Sequence, residues 1–208
     1  MKSMCVIGVT GGIGAGKSEV LHHLEEHWGA RLILLDDLSR CLLDPGGKCV
    51  EAAVELLGPG ILKEDGTIDR GRTASLIFAD EYLRKGLDDI IHPAVKEEAL
   101  RILKEEEKKG SCLAVIEAAL LIEEHYDAFC DEMWYIYADE ATRCRRLRET
   151  RGYDSERIRA TMARQLSEEE FRAHTDFVVD NSGEFTRTAE QIDAHMKELM
   201  GAKRSAGG

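Results

Sequence analysis

Gly11-Gly12-Ile13-Gly14-Ala15-Gly16-Lys17-Ser18 decides how the rest of the chain is read. It fits the pattern G-x-x-x-x-G-K-[ST] and lies between the right neighbours. Ahead of it, Cys5-Val6-Ile7-Gly8-Val9 is a short apolar run that predicts a buried strand; behind it, Glu19-Val20-Leu21-His22-His23-Leu24 begins a helical pattern. A strand that feeds a helix through glycines is what a phosphate cradle requires, because backbone N–H groups can turn inward without Cβ clashes. The helix start adds roughly half a positive charge facing the phosphates. In such a loop Lys17 reaches the β- and γ-phosphates and the Ser18 hydroxyl ligates Mg²⁺. Gly11, Gly12, Ile13, Gly14, Ala15 and Gly16 complete the expected ATP contacts. The pattern G-x-G-x-x-G is not completed, since Lys17 stands where the third glycine would be, which disfavours a dinucleotide fold.

Composition narrows the class further. The 208 residues suffice for one sizeable core, or for one domain with an insertion. With 40 acidic and 28 basic residues the formal net charge is −12, which argues against a nucleic-acid-binding surface. It does not argue against anionic substrates, because screening over about 8 Å lets a local arginine cluster outweigh distant carboxylates. The six cysteines form no C-x-x-C pair or zinc spacing and predict reduced thiols in a cytoplasmic protein. No signal peptide and no apolar run of membrane-spanning length is expected. Oligomeric state is not readable.

Along the chain, Glu19 to Trp28 predicts an amphipathic helix with Val20, Leu21, Leu24 and Trp28 inward, and His23 and His27 on a partly solvated face. Arg31 to Leu35 predicts the second strand, followed at once by Asp36 and Asp37. A carboxylate after that strand can accept a proton from an attacking hydroxyl, help hold Mg²⁺, or, at Asp37, cap the next helix. Pro45 to Gly110 is mainly helical and too long for a plain crossover, so a helical insertion is expected. Within it, Arg70 and Arg72 could meet phosphate or solvent, and Pro93, after His92, suits the first turn of a helix over 93–109. Cys112 to Ile116 predicts a central parallel strand ending at Glu117, where a P-loop enzyme places an acid that helps hold Mg²⁺. Trp134 to Ala138 predicts the fourth strand. Asp139 then caps a helix carrying Arg143, Arg145, Arg146, Arg148 and Arg151, whose packed like charges invite anions and suggest a lid. One helix over 154–172, a last strand at Asp176 to Val179 and a final helix to about Met200 complete the pattern, with a disordered tail over 201–208.

The ordered set of motifs resembles the dephospho-CoA kinase family over nearly the whole chain. It comprises Thr10 to Ser18, Asp36 with Arg40, Asp65-Gly66-Thr67-Ile68-Asp69-Arg70, Ile77-Phe78, Ile91-His92-Pro93, Leu120-Leu121-Ile122-Glu123, Gln165 and Val179-Asp180-Asn181. The resemblance implies an α/β P-loop fold of three layers: a five-stranded parallel sheet, a helical CoA-binding region and an arginine lid. It divides the chain into a nucleotide-binding core over 1–36 and 111–200, a CoA-binding region over 37–110 and a lid over 139–165. The implied reaction transfers the ATP γ-phosphate to the ribose 3′-hydroxyl of dephospho-CoA. Asp36 matches the family's proposed base, Arg146 and Arg151 the lid arginines, and Asn181 the loop near adenine. Asp36, Arg40, Arg70, His92 and Leu120 fall on the acceptor side, and Ser18 and Glu117 on the Mg²⁺ side. The sequence departs from the family at Leu34, Glu117, Ala119 and Thr150, the last leaving Arg151 one residue late. A kinase for another small hydroxyl or nucleoside monophosphate acceptor is the nearest alternative. A non-catalytic ATP-binding switch protein is another, although it needs neither Asp36 nor the arginine-dense helix.

Overall fold

The structure, a computed structural model, describes residues 4–206, the side chains of 203–206 excepted. In chain order the elements are β1 (Cys5–Thr10), α1 (Lys17–Trp28), β2 (Arg31–Leu34), α2 (Leu35–Leu42), α3 (Val50–Leu57), α4 (Arg70–Ala79) and α5 (Glu81–Lys109). There follow β3 (Leu113–Glu117), β4 (Glu132–Tyr137), α6 (Glu140–Arg151), α7 (Ser155–Met162), α8 (Glu168–Ala173), β5 (Phe177–Asp180) and α9 (Phe185–Ala206). The chain forms two compact units, one from Met1–Leu32 with Glu106–Gly208 and one from Ile33–Glu105.

The five strands make a parallel sheet in the order β2-β3-β1-β4-β5. β1 is central and all six of its residues are buried, which explains why it reads as a continuous apolar run rather than an alternation. The register pairs Val9 with Glu117, Thr10 with Tyr135 and Tyr137 with Asp180. One end of the sheet therefore carries the start of the glycine loop, Glu117 and the residue before Asn181. That is the carboxyl end, where open α/β sheets hold ligands. Gly8 is dictated by packing, since a Cβ there would overlap the Met133 sulfur.

Around Trp134, which is fully buried, α9 closes on β4 and β5. Phe177 meets the indole edge-on at 5.2 Å, and His195 stacks on Phe177 at 3.8 Å. Glu132 accepts hydrogen bonds from Trp134 Nε1 at 2.9 Å and His195 Nε2 at 2.7 Å, so the polar ends of both rings are satisfied. The second unit has its own core of Ala53, Ile61 and Leu87, with Leu56, Ile68, Ile77 and Ile91 packed against it.

Five expectations about the elements are corrected. The second strand ends at Leu34, and Leu35 already opens α2, so Asp36 and Asp37 lie in a first helical turn. Leu34 is the N-cap and no side chain caps it, so Asp37 does not. Pro93 lies inside α5 rather than at a helix start; buried Leu87, Val95, Ala99 and Leu103 hold the helix on through it, although Pro93 offers no N–H to the carbonyl four residues back. The single helix expected over 154–172 breaks into α7 and α8, because Ser167 and Glu170 form a reciprocal capping box that starts a new helix. The last helix continues past Met200 to Ala206; of the tail expected over 201–208, residues 207 and 208 lie outside the described residues.

His23 is buried rather than solvated. Its Nε2 and Trp28 Nε1 each lie 2.8 Å from Asp193 Oδ1, tying α1 to α9. Burial alone would raise the Asp193 pKa, but the hydrogen bonds from His23 and Trp28 outweigh it and hold the carboxyl below its ordinary range. A depressed carboxyl contributes stability above its unfolded pKa and loses it as pH falls through the folded value. Asp193→Asn should therefore destabilise the protein at neutral pH and flatten the acid limb of its stability curve. Urea midpoints measured from about pH 7 down to about pH 3 check this. A variant curve parallel to wild type would remove Asp193 from the acid-labile contacts.

Candidate functional site

The glycine loop leaves β1 at Thr10 and enters α1 through Gly16, which sits at φ 88° and ψ 28° with no side-chain cap. Lys17 and Ser18 stand in the first turn, where amide N–H groups have no intrahelical carbonyl. A loop that turns N–H groups toward a phosphate must place its carbonyls elsewhere, and here side chains take them. Gly11 O accepts Lys17 Nζ at 2.9 Å. Ile13 O accepts Arg143 Nε at 2.9 Å. Ala15 O accepts Asn181 Nδ2 at 2.9 Å and Arg146 Nη1 at 3.2 Å. The Ile13 N–H donates to Gln165 Oε1 at 3.0 Å, and the same oxygen accepts Arg143 Nη2 at 2.8 Å. The crest of the loop is thus gripped at both its N–H and its C=O by one guanidinium–carboxamide pair. Lys17 also lies 3.5 Å from Glu117 Oε1, with both side chains largely buried.

Local sequence explains the grip. Arg143 and Arg146 are three apart on α6 and share a face, with buried Leu147 beside them. Asp139 fixes where that helix begins by accepting hydrogen bonds from Thr142 N at 2.8 Å and Thr142 Oγ1 at 2.9 Å; these bonds hold its carboxyl below the ordinary range. Glycine is needed on the outer side of the loop as well as the inner. A Cβ on Gly12 would overlap the Arg143 guanidinium, and one on Gly16 would overlap the Asn181 amide.

Other sequence-predicted residues fall as follows. Ser18 is exposed at the start of α1, and Asp36 is exposed in the first turn of α2. Asn181, expected near adenine, is fully buried: its amide serves Ala15, its Oδ1 accepts Thr188 Oγ1 at 3.0 Å, and its carbonyl accepts Arg146 Nη2 at 2.9 Å. Arg151 ends α6 and is exposed. Leu120 is 49% exposed in the turns after β3. Within the second unit a cavity of about 710 Å³ brings Arg40 and Arg70 together with Lys63. Arg40 pairs with Asp37 at 2.7 Å, and Arg70 lies 3.8 Å from Asp44. His92 and Asp36 do not line that cavity; His92 Nε2 is 3.9 Å from Asp88. Among the described residues no group of three or more His, Cys, Asp or Glu is arranged to hold a metal ion by itself. No described helix is long and apolar enough to cross a membrane.

Sequence reasoning read Arg143 only as one of the lid arginines and Gln165 only as part of a motif, and did not single out Thr188. The i,i+3 spacing of Arg143 and Arg146 was the available signal; nothing in the sequence ties Gln165 to Ile13, 152 residues away.

The chain is similar to known proteins over nearly its whole length. A family model described as dephospho-CoA kinase matches residues 5–187. The dephospho-CoA kinase of Geobacter sulfurreducens is 39% identical over 201 residues, 97% of this chain and 99% of that protein. The dephospho-CoA kinase of Symbiobacterium thermophilum is 34% identical over 200 residues, 96% of this chain and 83% of its own. The crystal structure of TT1252 from Thermus thermophilus superposes with a TM-score of 0.76 at 30% identity, covering 95% of this chain and 99% of that one.

The crest grip makes a coupled prediction. Arg143→Ala and Gln165→Leu should each weaken ATP binding by roughly tenfold, because a hydrogen bond involving a charged group is worth about 1.5–3 kcal/mol. The double variant should lose less than the sum of the singles, since each removes its own contact to Ile13 but both remove the bond from Arg143 Nη2 to Gln165 Oε1. Calorimetric titration of the three proteins measures it. Additive losses would show that the two side chains act separately.

Proposed function

The chain belongs to the dephospho-CoA kinase family, and we propose that it transfers the γ-phosphate of ATP to the ribose 3′-hydroxyl of dephospho-CoA, giving coenzyme A and ADP. The observation that carries this reading is an intact phosphate cradle, its carbonyls held outward, in a chain that matches the family over residues 5–187. A cytoplasmic setting is supported by its six cysteines, all free thiols.

Phosphoryl transfer needs little covalent help from protein; it needs charge and position. The loop N–H groups and the α1 N-terminus receive the phosphates of ATP. Lys17, now on Gly11 O and Glu117, is placed to follow the β- and γ-oxygens as charge builds on them. Ser18 and Glu117 are the residues that would hold Mg²⁺. Two protein oxygens, with phosphate oxygens and water completing the shell, suit that ion, which seldom takes an all-protein cage. Bound there, Mg²⁺ supplies neutralisation of phosphate charge. Arg146 uses two donors on Ala15 O and Asn181 O; a guanidinium has five, so the rest remain for the transferring group. Arg151, exposed at the end of α6, is the second arginine assigned to that charge. Asn181 serves ATP through the loop it holds.

On the acceptor side, Arg40, Arg70 and Lys63 share one cavity with Asp44, Asp65 and Asp69, and its Leu43, Ile68 and Ile77 supply an apolar wall. A phosphate-bearing substrate with an aliphatic arm would draw Arg40 and Arg70 from their exposed carboxylate partners, Asp37 and Asp44. His92 and Leu120 are assigned to the same substrate by their place in the family's motifs. Asp36 is the proposed base. Its neighbour Asp37 is engaged by Arg40, whereas the Asp36 carboxylate has no ion pair among the described residues.

A panel of hydroxyl acceptors with ATP and Mg²⁺, read by ADP release, tests the reading: dephospho-CoA alone should stimulate strongly. Stimulation by another acceptor instead, or ADP release that ignores acceptors, would overturn it. In the same assay Asp36→Asn should lower turnover by about 10²–10⁴-fold while dephospho-CoA still binds, the range typical of a lost general base. Asp37→Asn should keep most of its turnover. The reverse pattern would make Asp37 the base.

A further inference from the structure

Lys17 is engaged by the very residue assigned to the metal. Its Nζ donates to Gly11 O at 2.9 Å and lies 3.5 Å from Glu117 Oε1. An ammonium has three donors, so a bond to the loop carbonyl and a contact with the carboxylate leave little of it for an anion. Both side chains are mostly withdrawn from water, Lys17 at 18% and Glu117 at 16% exposure. A pair in that setting is not the weakly coupled kind found on open surfaces, and withdrawing the cation leaves a shielded carboxylate uncompensated. Reach decides the contact. Glu117 is the last residue of β3, Lys17 opens α1, and the register sets Glu117 beside Val9. From the same backbone an aspartate would end one C–C bond sooner, about 1.5 Å, and would open the contact. Glu117 is also one of the chain's four departures from the family pattern.

We propose that Glu117 makes the loop selective for nucleotide that arrives with its divalent cation. This rests on the reading of the loop as the seat of ATP and of Glu117 as a residue that turns to Mg²⁺. Metal-free ATP meets a Lys17 that is already committed. If the ammonium stays on Glu117, the phosphates lose it. If it moves to them, the Glu117 carboxylate is left uncompensated beside a polyanion. Either course weakens binding. A nucleotide that brings Mg²⁺ supplies the cation that replaces Lys17 at the carboxylate, and the ammonium is then released to the phosphates. One carboxylate thus serves two cations in exchange, and binding of nucleotide and of metal become positively coupled.

The test is direct binding of ATP, with Mg²⁺ and with EDTA in its place, to wild type, Glu117→Asp, Glu117→Gln and Lys17→Ala. Calorimetric titration reads affinity without turnover. Wild type should bind metal-free ATP far more weakly than the magnesium complex. Glu117→Asp keeps the charge but shortens the reach, and should bind metal-free ATP at least about fivefold more tightly than wild type, the lower end of ordinary coupling between sites. Glu117→Gln should gain as much or more. Equal wild-type affinity with and without the metal, or unchanged metal-free affinity in both variants, overturns the role given to Glu117. So does a gain in Glu117→Gln alone, which would be simple relief of charge repulsion. If Lys17→Ala binds ATP as wild type does in both conditions, the loop is not the seat of ATP and the underlying reading fails instead.

Discussion

A phosphate loop is limited by its carbonyls. Each peptide that turns its N–H toward an anion turns its C=O toward something else, and a carbonyl left facing the anion would repel it. Here the carbonyls of Gly11, Ile13 and Ala15 are taken by an ammonium, two guanidinium groups and a carboxamide. Much else follows from keeping those donors in place. Asp139 fixes the start of α6 so that Arg143 and Arg146 arrive at the loop. Thr188 on α9 holds the Asn181 amide by its oxygen, leaving its nitrogen for Ala15. Gly12 and Gly16 lack side chains partly because arginine and asparagine fill the space behind them.

The sheet brings these donors together from distant parts of the sequence. β4 pairs with β1 on one side and β5 on the other, so the segments leaving β4 and β5, at Asp139 and Asn181, emerge at the same end as the loop. β3 delivers Glu117 beside Val9, close enough for its carboxylate to meet Lys17. The same arginines that invited a lid reading are therefore partly structural: two of them hold main-chain oxygens, and Arg145 and Arg148 pair with Glu149 and Ser155 on the surface. The unit Ile33–Glu105 has its own apolar cluster and its own charged cavity.

Much of this was legible in the sequence. The loop, its flanking strand and helix, the cap at Asp139 and the acid at the end of β3 follow from local patterns whose physics acts within a few residues. The ordered motifs from Thr10 to Asn181 carried the family. Illegible were features decided by tertiary contact. Burial of His23 depends on Asp193, 170 residues away. Pro93 continues a helix because the buried face of α5 outweighs one lost hydrogen bond. The break between α7 and α8 was written in Ser167 and Glu170 as a capping box, but the helical pattern on either side masked it. Strand order, and the reach of Gln165 to Ile13, have no short-range signature at all.

Residue-resolved amide hydrogen exchange on the nucleotide-free protein addresses the outward-held loop most directly. If side chains organise the loop before any phosphate arrives, the Ile13 amide is already protected without ATP, because Gln165 holds it. Adding ATP with Mg²⁺ then leaves Ile13 nearly unchanged and slows exchange mainly at Lys17 and Ser18. An Ile13 amide that exchanges freely until ATP is added would contradict the account, since the loop would then be shaped by its ligand.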